Sequence, residues 1–336
     1  MCDRGHSAGQ DKGTGPEPGS ATRAAYPRVV PDSLAEQPTA PRWAMVAAAM
    51  LVVYVVWGST YLGIRIVVEE ADPLTAMGLR YTAAGLLLGV GLALRSGPRR
   101  LALTRRQLLG CSALGLLLPL LGNGMVSVAE AHGATSGFTA LLIAVTPLAI
   151  VVFRTVEHDR PRTMTLVGVL AGFAGLAVLV LLGRGEVDPV PLGPALLVLF
   201  AGTCWGLGSY VQPRLWLPGD AFVIAVYEML LGGLMMTATG LATGEQLSLG
   251  HSSRTFLALG YLVVFGSVLA FTAYVWLVAN APISLVATYA YVNPVIAVLL
   301  GWLVLDERLT LATVAGGAIV VGAVAVVISS ERRKPG

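Results

Sequence analysis

Lysine is nearly missing from this chain: among 22 basic residues in 336, only Lys12 and Lys334 are lysines, both close to an end. A phosphate loop of the form GxxxxGK[ST] needs a lysine after its glycine-rich turn. The body of the chain therefore holds none, which excludes ATP hydrolysis through a P-loop of its own. Charge of either sign is scarce, at 12% of residues against about 25% in an ordinary soluble domain. The three cysteines (Cys2, Cys111, Cys204) keep no regular spacing, and the four histidines are scattered. Such a pattern supports neither a disulfide framework nor a zinc site, so no metal and no cofactor is expected. The net charge of +3 comes from dispersed arginines. Without a clustered basic face, nucleic acid is not an expected partner.

What the chain has in abundance is apolar length. It is 55% hydrophobic, with a mean hydropathy of +0.75. Runs of roughly 20 apolar residues recur, the length an α-helix needs to cross the hydrocarbon core. The composition points to an all-α integral membrane protein whose first partner is the lipid bilayer. Residues 1–42 are rich in Gly, Pro and Ala with mixed charge and no periodicity. They lack the apolar h-region of a signal peptide and are expected to be a disordered cytoplasmic tail.

Ten transmembrane helices are expected, near 43–67, 73–94, 107–130, 135–153, 163–182, 194–212, 219–241, 254–278, 282–304 and 310–329. They divide into a first five-helix unit over 43–183 and a second over 193–330, followed by a short tail, 331–336. With the N-terminus inside, the inward loops hold Arg95, Arg99, Arg100, Arg105, Arg106, Arg154, Arg160, Arg162 and Arg214, and the C-terminal tail adds three more basic residues. The outward side has only Arg65, Arg184, Arg254 and Arg308, beside the acidic Glu69, Glu70 and Asp72. Positive-inside counting then puts both termini in the cytoplasm.

A shift of 148 residues lays the second half over the first without a gap for some 30 positions. Trp57-Gly58 falls on Trp205-Gly206, Asp72 on Asp220, and Gly85-Leu86 on Gly233-Leu234. Further on the shift becomes 147, bringing Pro147 to Pro294 and Asp159 to Asp306. Chance similarity between apolar stretches explains shared small residues, but not tryptophan, aspartate and proline returning at nearly one offset. Five helices per unit means that the second enters the membrane from the opposite side. Two inverted five-helix repeats follow, an arrangement found in secondary transporters with a midplane site.

The same residues carry a family resemblance. VVWGSTYLGIRIVVEEADPLTAMGLRYTAAGLLL and AEAHGATSGFTALLIAVTPLAIVVF resemble a first EamA-type repeat of the drug/metabolite transporter superfamily. CWGLGSYV and SLVATYAYVNPVIAVLLGWLVLDERLTLATVAGGAIVVGAVAV resemble a second. Glu307 of the DER turn stands where the family has a glutamate, whereas the first half departs there, with Arg160 in EHDRP. The resemblance implies a transporter of small metabolites or drugs, with segments 1, 3, 4, 6, 8 and 9 around the pathway.

Arg80 is the oddity of the second segment, since an arginine in hydrocarbon costs about 2.5–3.5 kcal/mol on insertion scales. It lies seven residues beyond Pro73, roughly 10 Å at 1.5 Å per residue. Its side chain either snorkels to the interface or faces the interior to pair with a carboxylate or an anionic solute, for which the guanidinium fork is suited. The repeat maps Arg80 onto Glu228, and Glu130 is a second possible ion-pair partner. Glu228 is also the main candidate to carry a coupling proton. Trp57, Tyr61, Asn123, Trp205, Tyr210, Tyr289, Tyr291 and Asn293 interrupt apolar helices. They are candidates for lining a solute site, with interhelical packing as the alternative. Pro147 and Pro294 are candidate hinges, and Trp276 and Trp302 candidate interface anchors.

The expected function is secondary transport of a small organic solute, amino-acid-like or a drug, across the bacterial plasma membrane. Alternating access, working as an exporter, is the expected mechanism; a proton-independent facilitator or exchanger is the alternative. An intramembrane enzyme would need a helix-borne catalytic cluster, which the segments lack, and a scaffold would need a patterned soluble module. Small-residue pairs such as Gly85–Gly89, Gly168–Gly172 and Gly202–Gly206 permit close helix approach, either within the chain or in a homodimer.

Overall fold

A computed structural model of the protein describes residues 40–134, 136–157, 162–183, 191–247, 249–296 and 311–332. The N-terminal tail, Arg160, Trp302 and the DER turn at 306–308 lie outside the described residues. Among those described, every regular element is helical. In chain order they are α1 (Ala40–Val68), α2 (Pro73–Ser96), α3 (Arg105–Ala131), α4 (Ser136–Ile143), α5 (Val145–Val156), α6 (Thr163–Gly183), α7 (Leu192–Val211), α8 (Ala221–Ala242), α9 (Ser253–Asn280), α10 (Ile283–Ile296) and α11 (Leu311–Arg332).

Six of these are long and apolar enough to span a membrane: α1, α2, α3, α8, α9 and α7 with its short C-terminal extension to Arg214. Four shorter apolar helices, Val145–Val156, Thr163–Gly175, Ile283–Ile296 and Val314–Val327, complete the apolar set among the described residues. Leu86, Leu87, Val90 and Leu94 of α2 stand exposed along one flank. Exposed leucines at helical spacing suit a lipid surface rather than water.

Local chemistry marks the ends. Pro73 opens α2, where a missing N–H costs nothing. Thr104 and Gln107 form a reciprocal capping box at the start of α3. Asp220 accepts the Phe222 amide at 2.9 Å to cap α8, and Ser252 accepts the Thr255 amide to cap α9.

Helices α2 and α8 pack antiparallel along their length. Gly78 lies against Gly233 and Thr237, Gly85 against Leu230 and Gly89 against Val226. A Cβ at Gly233 would sit 2.6 Å from the Thr82 amide nitrogen, so only glycine allows this approach. The pair α6 and α11 uses the same device, with Gly168 against Val327 and Gly175 against Ile319. Gly202 and Gly206 meet Thr146 and its neighbours in α5. These glycines serve packing within the chain.

Two helices are not regular. In α3 the stretch Leu116–Gly124 winds as a π-helix containing Pro119; in α9 the stretch Leu262–Phe271 does the same. Pro119 has no N–H for the carbonyl four residues back, and its ring crowds that carbonyl. A wider turn relieves the clash. The second stretch has no proline, but the carbonyl of Gly266 accepts the Trp57 indole N–H at 3.1 Å. The chain also breaks between α4 and α5 at Ala144, three residues before the buried Pro147. Within α10 it turns at Ala287–Thr288, ahead of the buried Pro294.

At one end of the α2–α8 pair, three acidic side chains tie the α1–α2 turn to the α8–α9 turn. Glu245 accepts the amides of Leu74 and Thr75 at the start of α2 (3.2 and 2.8 Å). Glu70 in return accepts the amides of His251 and Ser252 ahead of α9, both at 3.0 Å. Asp72 accepts the Gln246 amide at 2.7 Å. At the other end Arg100 pairs with Asp220 at 2.7 Å, and the Tyr227 hydroxyl donates to the Leu101 carbonyl.

Candidate functional site

The site is a cavity between α1, α2, α3, α4, α7 and α10, holding about 510 Å³ of space free of protein atoms, including the part open to solvent. Helix α1 presents Trp57 and Tyr61 on one face, four residues apart as helical periodicity requires. Asn123 reaches the cavity from the π stretch of α3, Trp205 from α7, and Tyr289 and Asn293 from α10 beyond its turn. Arg80 enters from α2.

Arg80 is only 2% exposed. Its Nε donates to the Ser267 hydroxyl at 2.9 Å, and Nη1 approaches only the Met77 sulfur, at 3.6 Å. The guanidinium carbon stands 4.9 Å from the Tyr81 ring centre. No carboxylate among the described residues lies within 4.0 Å of it, so neither the Glu130 nor the Glu228 ion pair is formed. Gly266 makes room for the fork: a Cβ there would stand 2.9 Å from Nη2. A buried cation with most of its five donors unused is costly unless something else satisfies them. Asn123 adds a buried side-chain oxygen with no partner in the same cavity.

An aromatic cluster forms the wall. Trp57 meets Trp205 edge-on at 5.4 Å, Tyr289 edge-on at 5.1 Å, and Tyr274 at 4.9 Å. The Trp205 indole N–H donates to the Tyr274 hydroxyl at 2.8 Å, and that hydroxyl also bonds the Ser209 hydroxyl. With both indole N–H groups engaged, the rings are fixed surfaces. Asn293 is satisfied when its amide nitrogen donates to the carbonyls of Tyr289 and Tyr54, at 3.0 and 3.3 Å.

Seven of the nine residues singled out for a solute site line this cavity: Trp57, Tyr61, Arg80, Asn123, Trp205, Tyr289 and Asn293. Tyr210 and Tyr291 do not. The Tyr210 hydroxyl donates to Glu157 at 2.7 Å beneath the Arg214 guanidinium. Tyr291 packs against Gly172, within a small cluster of Ala144, Val169 and Val320. Glu130 and Glu228 are fully buried, outside the cavity lining, and their carboxylate oxygens have no hydrogen-bond partner among the described residues. Arg65 donates to the backbone carbonyl of Glu130, at 2.8 Å. Nothing in the local sequence marks Ser267 and Gly266, which orient Arg80; in the repeat they stand opposite Pro119 and Leu118. Among the described residues no three His, Cys, Asp or Glu side chains converge on a possible metal position.

The model of the EamA-like transporter family matches the chain twice, over residues 44–181 and 192–329. The chain belongs to the EamA-like transporter family. Its relatives include the uncharacterized inner membrane transporter YedA of Escherichia coli K12, 41% identical over 75% of this chain and 80% of that one. Protein PecM of Dickeya dadantii is 26% identical over 83% of this chain and 92% of its own length. A solved crystal structure shares the fold at a TM-score of 0.68, with 20% identity across 87% of this chain and 99% of that one. Membership in this family makes the chain a membrane transporter, and the cavity its candidate solute site.

Proposed function

We propose that the protein is a secondary transporter of the bacterial inner membrane that moves a small organic solute bearing an anionic group by alternating access. The single observation that carries the solute class is Arg80, a buried guanidinium directed into a cavity with a serine and, among the described residues, no carboxylate for company. An incoming carboxylate can accept two parallel N–H bonds from such a fork, while the aromatic wall receives the apolar remainder of an amino-acid-like solute or drug.

Four observations support two inverted five-helix repeats. The two stretches matched by the family model are of equal length and start 148 residues apart. The contact pair Gly78–Thr237 becomes Val226–Gly89 under that shift, and Gly85–Leu230 becomes Gly233–Thr82. Trp57 and its counterpart Trp205 touch each other. The two π stretches occupy corresponding positions. Contacts that exchange with themselves are what a pseudo-two-fold axis between the halves requires.

In this account the breaks near Pro147 and Pro294 act as hinges, and the arginine distribution sets both termini in the cytoplasm. The test is flux in reconstituted vesicles with a panel of small carboxylates. Solute should cross chemically unchanged and do so poorly with R80Q at equal protein incorporation. Equal transport by R80Q would leave Arg80 without a solute to bind.

A further inference from the structure

The repeat gives the cavity residues counterparts, and around Gly208 and Gly232 the counterpart positions are closely packed. Thr60 corresponds to Gly208, Tyr61 to Ser209, Arg80 to Glu228, and Gly266 of the second π stretch to Leu118 of the first. At the open site the small residue is on the π stretch, where Gly266 lies between Thr60 and Arg80. At the counterpart the sizes are exchanged. Leu118, fully buried, covers Gly208, and Pro119 beside it seals against Gly232.

The closed twin is nevertheless polar. Glu228 is completely buried, and among the described residues neither of its carboxylate oxygens has a hydrogen-bond partner. Ser209 is buried and bonded to Tyr274. Among the described residues, the titratable groups near enough to feel the charge of Glu228 are Tyr81 from α2, Cys111 from α3 and Tyr274 from α9. Tyr227, next in sequence, is engaged with the Leu101 carbonyl. Among the described residues no basic side chain pairs with Glu228, whereas Glu130 has Arg65 bonded to its own carbonyl. A carboxylate buried without a partner or a cation is held by binding a proton.

Two of those groups stand at the open cavity or against its wall. Tyr81 lines it, and Tyr274 takes the N–H of Trp205, which also lines it. On the Glu228 side Leu118 covers the equivalent space over Gly208.

We propose that Glu228 is a reversible proton-binding site of the transport cycle. It exchanges its proton past Tyr81 and Tyr274 in the conformation described, and with the opposite membrane face once Leu118 leaves Gly208. One proton passes from water to the carboxylate and back, and no other reactant takes part. The coupling rests on the alternating-access function proposed above, but proton binding itself can be read without any solute.

The full chain in lipid is titrated from acid to alkali and followed by infrared difference spectroscopy in H2O and D2O, with the proton alone as the probe. A protonated-carboxyl band in the wild type should be lost in E228Q and kept in E130Q. An unchanged carboxyl spectrum in E228Q overturns the proposal. If E228Q does not insert, E228D must shift the frequency of that band, and an unshifted band is equally fatal. In vesicles with an imposed pH gradient, E228Q should keep exchange of the carboxylate solute and lose gradient-driven accumulation; retained accumulation overturns the coupling. Absence of flux in the wild type would count against the transport function, while the infrared titration still decides the proton site.

Discussion

Arg80 buries a guanidinium with no carboxylate beside it among the described residues, at a cost of about 2.5–3.5 kcal/mol or more at membrane depth, which the carboxylate of the proposed solute would offset. Arg80→Lys keeps the charge but replaces the fork by a point. It should insert at wild-type abundance and raise the apparent KM for a carboxylate solute, measured by initial rates in vesicles. Ser267→Ala removes a hydrogen bond to a charged group, worth about 1.5–3 kcal/mol. It should raise KM by roughly tenfold or more on that scale and leave the rate at saturation nearer to wild type; a fall in maximal rate at constant KM would assign Ser267 a different role. Arg80 was legible in the sequence because a charge in an apolar run needs no alignment to be noticed. Ser267 was not, because one hydroxyl in such a run is unremarkable and its importance comes from α9 packing against α2. That Tyr210 and Tyr291 lie outside the cavity lining was not legible for a related reason: these helices are apolar nearly all round, so no amphipathic stripe tells which side faces the centre.

At the scale of the element, the glycines decide how closely helices approach. Gly85 faces the Leu230 amide nitrogen, 2.9 Å from where a Cβ would stand, whereas Gly91 on the same helix has nothing within 4 Å. Gly85→Val should cost about 1–3 kcal/mol through overpacking and lower the melting temperature of the solubilised chain. Gly91→Ala should leave it unchanged or slightly higher, since alanine is the better helix former. Equal melting of the two variants would contradict the α2–α8 contact. Long helices were legible from length and hydropathy. The π stretches were not, although Pro119 followed by Gly122, Asn123 and Gly124 marks the first as unfit for a regular helix. The second, at Leu262–Phe271, carries no comparable mark, and its irregularity belongs to the tertiary bond between Trp57 and the Gly266 carbonyl.

For the whole molecule, the two halves are tied at the ends of the α2–α8 pair, and one tie is sensitive to acid. The Ser252 hydroxyl, and then the amides of His251 and Ser252, draw the Glu70 carboxyl down from its ordinary 4.5 to about 2. A carboxyl lowered in the folded state stabilises fully above its ordinary value and loses that contribution as pH falls toward the lowered one. The melting temperature should therefore drop as pH is taken from about 4.5 to about 2, with a smaller drop in Glu70→Gln. A parallel decline in both would remove Glu70 from the account. The duplication was legible in the sequence at its true offset, since tryptophan, aspartate and proline repeat where lipid-facing residues drift. What it left unread is which half opens: Gly266 beside Arg80 and Leu118 over Gly208 become meaningful only once the helices are packed. Counterflow of labelled small carboxylates in vesicles, wild type against Arg80→Gln at matched incorporation, tests the central claim most directly. The account predicts exchange of an unaltered carboxylate solute by the wild type and its loss in the variant, and exchange at the wild-type rate by Arg80→Gln would contradict it.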